Sequence, residues 1–235
     1  MKPNYLPALL LLGGGALVYH MMRRKDADAT TSSAPPSGSA SASELLKRIP
    51  TEDKPAPVGP SKSVALIGDS IMQGAYSFVK TGKAGQPMQG APLLSMQKQI
   101  NSVPPAAKTD AMVISGGLND LAGKASAADI VERAAKLWQN GLSRGWRVAH
   151  LELTPAGGGE YEKKISEEER VKANAGLELA AKQAGVTFIK MSAFIDPTKP
   201  NMLKKDVASA DKLHLTPDGY KKLGALIDLW LGGQA

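Results

Sequence analysis

Apolar positions along this chain fall into two alternating patterns, short unbroken runs and longer stretches with helical spacing. Residues 63–67 (SVALI), 111–115 (AMVIS), 147–153 (RVAHLEL) and 186–191 (VTFIKM) are short runs rich in aliphatic and β-branched side chains, as expected of strands buried on both faces. Residues 71–79, 92–100, 127–142, 166–184 and 217–231 carry the helical spacing. Strands alternating with helices require crossover connections. The pattern therefore predicts an α/β fold, a three-layer α/β/α sandwich around a central parallel sheet. In such sheets functional groups gather beyond the carboxyl ends of the strands. Two polar segments directly follow predicted strands: Gly68-Asp69-Ser70 and Gly116-Gly117-Leu118-Asn119-Asp120.

The regular pattern starts only at residue 62. Residues 31–43 hold no charge and almost no bulky apolar side chain, so they cannot bury enough surface to offset the entropy of ordering. Prolines 55, 57 and 60 continue the punctuation. The expected organisation is an N-terminal membrane anchor or signal segment over 1–25, a flexible Ser/Ala/Pro-rich linker over 26–61 and one globular domain over 62–235. Within the first segment, residues 5–22 form an apolar run interrupted by Pro7, Gly13 to Gly15 and His20. As a helix it would span roughly 27 Å, near the thickness of a hydrocarbon core. A single-pass anchor is the favoured reading. The alternative is a secretory signal cleaved near Ala27-Asp28-Ala29, against which Arg23, Arg24 and Lys25 lie where such a signal is normally uncharged. Those three basic residues favour a cytoplasmic carboxyl domain by the positive-inside rule. A Ser/Ala/Pro tether behind an anchor instead suits a domain working in the cell envelope, and the envelope side is the expectation.

Composition removes several function classes. The chain contains no cysteine, which excludes disulfide frameworks, thiolate metal sites and a cysteine nucleophile. Residues 44–235 retain 25 basic and 20 acidic side chains, a net +5, and the lysines (163, 164, 204, 205, 221, 222) lack interleaved aromatics. That describes a solvated surface, not a nucleic-acid stripe.

Gly68-Asp69-Ser70 alone is an ordinary way to leave a strand, with a serine capping the next helix. Its place matters more: a serine at a strand-to-helix turn exposes its hydroxyl and aims its own amide at any oxyanion formed there. Gly74 would permit close helix packing or substrate approach. The spacing of Gly68 and Gly74 does not make the G-x-G-x-x-G dinucleotide fingerprint. A serine nucleophile needs a base. Of three histidines, His20 lies in the apolar run and His150 in a strand, where a satisfied core histidine is expected; His214 lies in a polar segment three residues after Asp211. That spacing lets one turn bring the carboxylate to Nδ1 while Nε2 faces the serine, although Asp-x-x-His by itself is also an ordinary solvated turn. Asp218 is a rival acid, but Thr216-Pro217-Asp218 reads as an N-cap, a first-turn proline and a charge on the helix dipole. Oxyanion donors would be the Ser70 amide, the Asn119 side chain and a glycine amide ahead of residues 92–100, Gly90 being preferred and Gly85 the alternative. Asp120 reads as a turn or cap.

The segments IGDSIMQG, GGLND and DKLHLTPDGY resemble, in order and separation, the serine, asparagine and histidine blocks of the GDSL/SGNH hydrolase superfamily. VKANAGLELAAKQAGVTFIKM resembles the helix and strand that precede the histidine block, so the resemblance covers most of 62–235. It implies a flavodoxin-like sandwich and a serine esterase with Ser70 as nucleophile, His214 as base and Asp211 orienting it. It further implies an oxyanion hole of Ser70, Gly90 and Asn119, with no metal and no organic cofactor. The glycine block departs from the pattern, having no clear signature here. Expected substrates are esters of acetylated glycans or of lipids, with a small acyl group favoured because aromatics are only 5% of the chain and offer little sugar-stacking surface. Residues 80–89 are expected to form a glycine-rich lid. The alternative is a non-catalytic envelope or interaction protein that retains the fold.

Overall fold

A computed structural model describes residues 60–104 and 108–233, so the expected N-terminal segment and all but the end of the linker lie outside the described residues. Among the described residues no helix is long and apolar enough to cross a membrane. The chain runs β1 (Ser63–Gly68), α1 (Ser70–Ala75), β2 (Gly82–Ala84), α2 (Leu93–Asn101), β3 (Ala111–Ser115), α3 (Leu118–Ala122), α4 (Ala127–Ser143), β4 (Arg147–Leu151), α5 (Glu167–Gln183), β5 (Thr187–Ile189), β6 (Ile195–Asp196), β7 (Lys199–Leu203) and α6 (Pro217–Leu231). Among these, β1 to β5 form one parallel sheet in the order β2-β1-β3-β4-β5. The predicted α/β architecture is what forms, and all five helical stretches read from spacing are helices.

The strand runs are unbroken because both faces are covered. Ala65 and Ile67 of β1, Met112 and Ile114 of β3 and Val148 of β4 point to one core, with Leu93, Met96 and Ile100 of α2, Ile130 and Trp138 of α4 and Leu177 of α5. The alternate residues Val64, Leu66, Val113, Ala149 and Leu151 point to the other, with Ile71 and Met72 of α1 and Leu223, Ile227 and Trp230 of α6. His150 lies on the first face, fully buried, and its Nδ1 accepts from Trp138 Nε1 at 3.1 Å. Burial pulls its pKa down to about 4, against a smaller opposing effect of the Gly116 backbone. It is a core histidine, as its strand position predicted, but it is satisfied only at Nδ1: its buried Nε2 has no hydrogen-bond partner among the described residues.

The strand order places β2 and β3 on opposite sides of β1, so connections leave the carboxyl end of β1 and β3 in opposite directions and open a crevice there. Gly68 pairs with Ser115, which sets the ends of these two strands level.

Two regions differ from expectation. Residues 80–89 do not form a detached lid: Gly82–Ala84 is a sheet strand parallel to β1, and the Met88 amide donates to Gly68 O at 2.9 Å. A three-residue strand containing glycine shows no apolar run, and Gly85, at φ +92°, runs so close to β1 that a Cβ would stand 2.5 Å from Leu66 O. The antiparallel pair β6–β7 was also not expected, since its residues lack sustained alternation. Two predicted strands are shorter than read, ending at Leu151 and Ile189.

Candidate active site

Ser70 opens α1, and local chemistry explains why the helix starts there. Asp69 is extended and caps the helix, its Oδ1 accepting from the Ile71 amide at 3.0 Å. Gly68 is required by crowding, because a Cβ would lie 2.6 Å from Ser115 O. At Gly74 a Cβ would come within 2.2 Å of the Tyr220 ring, so this glycine serves the packing of α1 on α6. Of the two roles read for Gly74, helix packing is the one the structure shows.

His214 reaches Ser70 from a loop built around one carboxylate. Asp211 Oδ1 accepts from the amides of Leu213 (3.1 Å) and His214 (3.0 Å) and from Ser209 Oγ, which folds the loop back on itself. Its Oδ2 lies 2.5 Å from His214 Nδ1. The loop closes with Ser209 N donating to His214 O and Thr216 N to Val207 O, both at 2.8 Å. On the far side of the ring His214 Nε2 is 2.8 Å from Ser70 Oγ. A carboxylate only accepts, so Nδ1 keeps its proton and donates it in a hydrogen bond to Asp211, which leaves Nε2 free to accept from the serine hydroxyl. Burial pushes Asp211 upward, but hydrogen bonds from His214, Ser209 and the amides of His214 and Leu213 outweigh it and hold the carboxyl well below the usual carboxylate range. Asp218 stands apart from this: Thr216 caps α6, accepting from Gly219 N at 3.1 Å, and Pro217 and Asp218 occupy its first turn, as the sequence predicted.

Asn119 enters from α3, just after Gly117, whose φ of +124° a side chain would strain. Asn119 Nδ2 lies 3.3 Å from Ala91 O and 3.4 Å from Asp69 Oδ2. Its neighbour Asp120 is buried, accepting from the Leu93 amide at 2.9 Å and from Arg133 at 2.8 Å, which makes it the cap of α2 and not a reacting group. Together the two side chains fasten the segment 91–93 to β3. Gly90 precedes that segment in an exposed turn closed by Ala91 N donating to Met88 O, at φ +70° and with room around it. Among the described residues neither the Gly90 amide nor the Ser70 amide donates to a protein acceptor. Gly85, held against β1, is not in this position.

Three contributors carry no local sequence signal of their role. The sequence places Asp69 only in a turn, yet it is almost fully buried, and burial raises its carboxyl to about 6 against the lowering effects of the Ile71 amide and His214. Tyr161, in the connection between β4 and α5, stands edge-on to the His214 ring with centroids 6.4 Å apart and Lys164 over its own ring. Ser209 shapes the acid. Serine, imidazole, carboxylate and free amide donors at one crevice are the parts needed for nucleophilic attack on a carbonyl. Among the described residues no group of three or more His, Asp or Glu is placed to hold a metal ion.

Residues 66–222 match the model of the GDSL-like Lipase/Acylhydrolase family. Among solved structures, the fold is similar to that of a GDSL-like lipase from Bacteroides thetaiotaomicron (21% identity, 72% of this chain and 87% of that one, TM-score 0.62). It is also similar to a lipase/acylhydrolase from Enterococcus faecalis (20% identity, 74% and 96%, TM-score 0.63). A third similar structure is an acetyl xylan esterase (17% identity, 70% and 97%, TM-score 0.55). No curated protein matches the chain.

Proposed function

The chain belongs to the GDSL-like lipase/acylhydrolase family, and from that premise we propose that it hydrolyses carboxylic esters through an acyl-enzyme on Ser70. The carrying observation is the 2.8 Å approach of His214 Nε2 to Ser70 Oγ, with the opposite ring nitrogen on Asp211. In the first step Ser70 Oγ bonds to the ester carbonyl carbon while His214 takes the hydroxyl proton. The oxyanion is met by the amides of Ser70 and Gly90 and by Asn119 Nδ2. The tetrahedral species collapses as the C–O bond to the alcohol breaks and His214 returns the proton to the leaving oxygen. Water, deprotonated by the same imidazole, then releases the acid and restores Ser70. Asp211, held ionised by its hydrogen bonds, stabilises the imidazolium at both steps.

The substrate in this reading is a small acyl ester, an acetylated glycan or a lipid, at the cell envelope. The scarcity of aromatics and the fold likeness to an acetyl xylan esterase support the small acyl group. The apolar run at 5–22 and the linker behind it support a tethered enzyme, and a substrate in the envelope would put that enzyme on the envelope side. A fluorophosphonate probe tests the nucleophile: the wild type is expected to label and Ser70→Ala to remain unlabelled, with turnover of p-nitrophenyl acetate down about 10³-fold or more. An unlabelled, inactive wild type would instead favour an adaptor that retains the fold. A panel of short and long p-nitrophenyl esters, with and without detergent, then ranks acetyl against lipid-like substrates.

A further inference from the structure

The Asn119 amide has oxygen atoms on both sides of its nitrogen: Asp69 Oδ2 at 3.4 Å and Ala91 O at 3.3 Å. Were the amide turned over, its oxygen would face two acceptors, so this pair dictates that the N–H end lies between Asp69 and Ala91. Both contacts exceed the usual 2.9–3.0 Å of an amide hydrogen bond. The two hydrogens are therefore oriented without being strongly engaged, and a developing oxyanion is the better acceptor. The other oxygen of the same Asp69 carboxyl caps α1 through the Ile71 amide at 3.0 Å. One buried side chain thus ties the start of the Ser70 helix to the side-chain donor that arrives from the neighbouring strand.

We propose that Asp69 is a positioning residue of the oxyanion hole, holding Asn119 in the donor orientation while fixing the turn that carries Ser70. The assignment rests on Ser70 being the nucleophile. An apolar site is an expensive place for a carboxyl group, and burial does raise Asp69 to about 6. A role confined to helix capping would be served by serine, threonine or asparagine without that cost. The second oxygen has its own task, because an acceptor there acts with Ala91 O to keep the amide of Asn119 from turning.

Asp69→Asn separates the two tasks. Its Oδ1 still caps Ile71, but an NH2 group now faces the nitrogen of Asn119, donor against donor. Turnover of p-nitrophenyl acetate is measured for the wild type, Asp69→Asn, Asn119→Ala and the double variant, with active sites counted by fluorophosphonate. Asp69→Asn is expected to lower kcat about 10- to 100-fold with KM within about threefold, and Asn119→Ala about 100-fold or more. In the double variant the loss is expected to stay within about threefold of Asn119→Ala alone, because both substitutions remove one interaction. Losses that multiply, or an Asp69→Asn enzyme within about twofold of the wild type, would overturn the assignment. If thermal melting shows that Asp69→Asn does not fold, Asp69→Ser, which keeps the cap but cannot reach Asn119, is read in the same cycle with the same expectation. A wild type without turnover would overturn the nucleophile reading, and the assignment with it. A working wild type with multiplying losses overturns the assignment alone.

Discussion

The histidine loop and the end of β1 each present one carboxylate to the same crevice, and the two live under opposite conditions. Asp211 is partly exposed and collects four hydrogen bonds, from Ser209, the Leu213 and His214 amides and the imidazole. Asp69 is buried, with one close backbone donor, the Ile71 amide at 3.0 Å, weaker help from its own amide and that of Met72, and a long contact to Asn119. Burial acts upward on both. In the loop the donors win and the carboxyl falls well below its usual range; at the strand end they do not, and it rises to about 6. The comparison teaches that the charge of a site carboxylate is set by how many donors the local backbone can turn toward it. A loop that folds around its own aspartate supplies many, whereas a strand end locked into a parallel sheet supplies few.

The sharpest way to break this contrast is Asp211→Asn. An amide can donate to His214 and stabilise the wrong tautomer, so kcat/KM for p-nitrophenyl acetate is expected to fall about 10²- to 10⁴-fold at neutral pH. A loss under about threefold would mean that the carboxylate does not orient the base.

Stability against pH sharpens the other half. Asp69 titrates near 3.8 when unfolded and near 6 when folded, so the folded state holds the extra proton between these values. The contribution of this group is therefore fully present below about 4 and is lost as pH rises through about 6, by as much as ~3 kcal/mol. Relative to Asp69→Asn, the wild type should lose unfolding free energy between pH 4 and 7.5, read by urea denaturation. A gap that does not change with pH would remove burial as the cause. Asp211 has the opposite sign: its depressed pKa contributes stability above about 4 that is lost only as pH falls further, and its partial exposure screens that contribution.

The smallest effect is expected of Ser209→Ala. It removes one of four donors to Asp211, leaving the histidine pair in place. A drop in kcat/KM of about two- to tenfold is expected, and the acid limb of the pH–rate profile should be little altered. A loss as large as that of Asp211→Asn would show that the hydroxyl, not the backbone, holds the loop.

Ser70, Asp211, His214 and Asn119 were legible because each stands in a short segment whose chemistry is local. A serine after a strand, an aspartate three residues before a histidine and an asparagine after two glycines can each be read from neighbours in the chain. The four principal strands and five longest helices were legible because two-sided burial and one-sided burial leave different periods. Strand β2 was not, since it consists of Gly82, Lys83 and Ala84 and owes its pairing to the edge of β1. Gly90 could be favoured over Gly85 from its place before α2, and the contacts of Asn119 with Ala91 O and of Gly85 with Leu66, which the sequence does not reveal, support that choice.

The order of apolar runs, read alone, determined a parallel α/β sandwich and the strand ends at which polar segments gather, and the local polar segments singled out Ser70, Asp211 and His214 as candidates. Which polar groups share a space was decided in three dimensions. Asp69 and Asn119 are fifty residues apart, and Tyr161 and His214 lie on different connections. Burial is a property of the assembled core, so the raised pKa of Asp69 exists only once β1 and β3 lie side by side and the helices have excluded water.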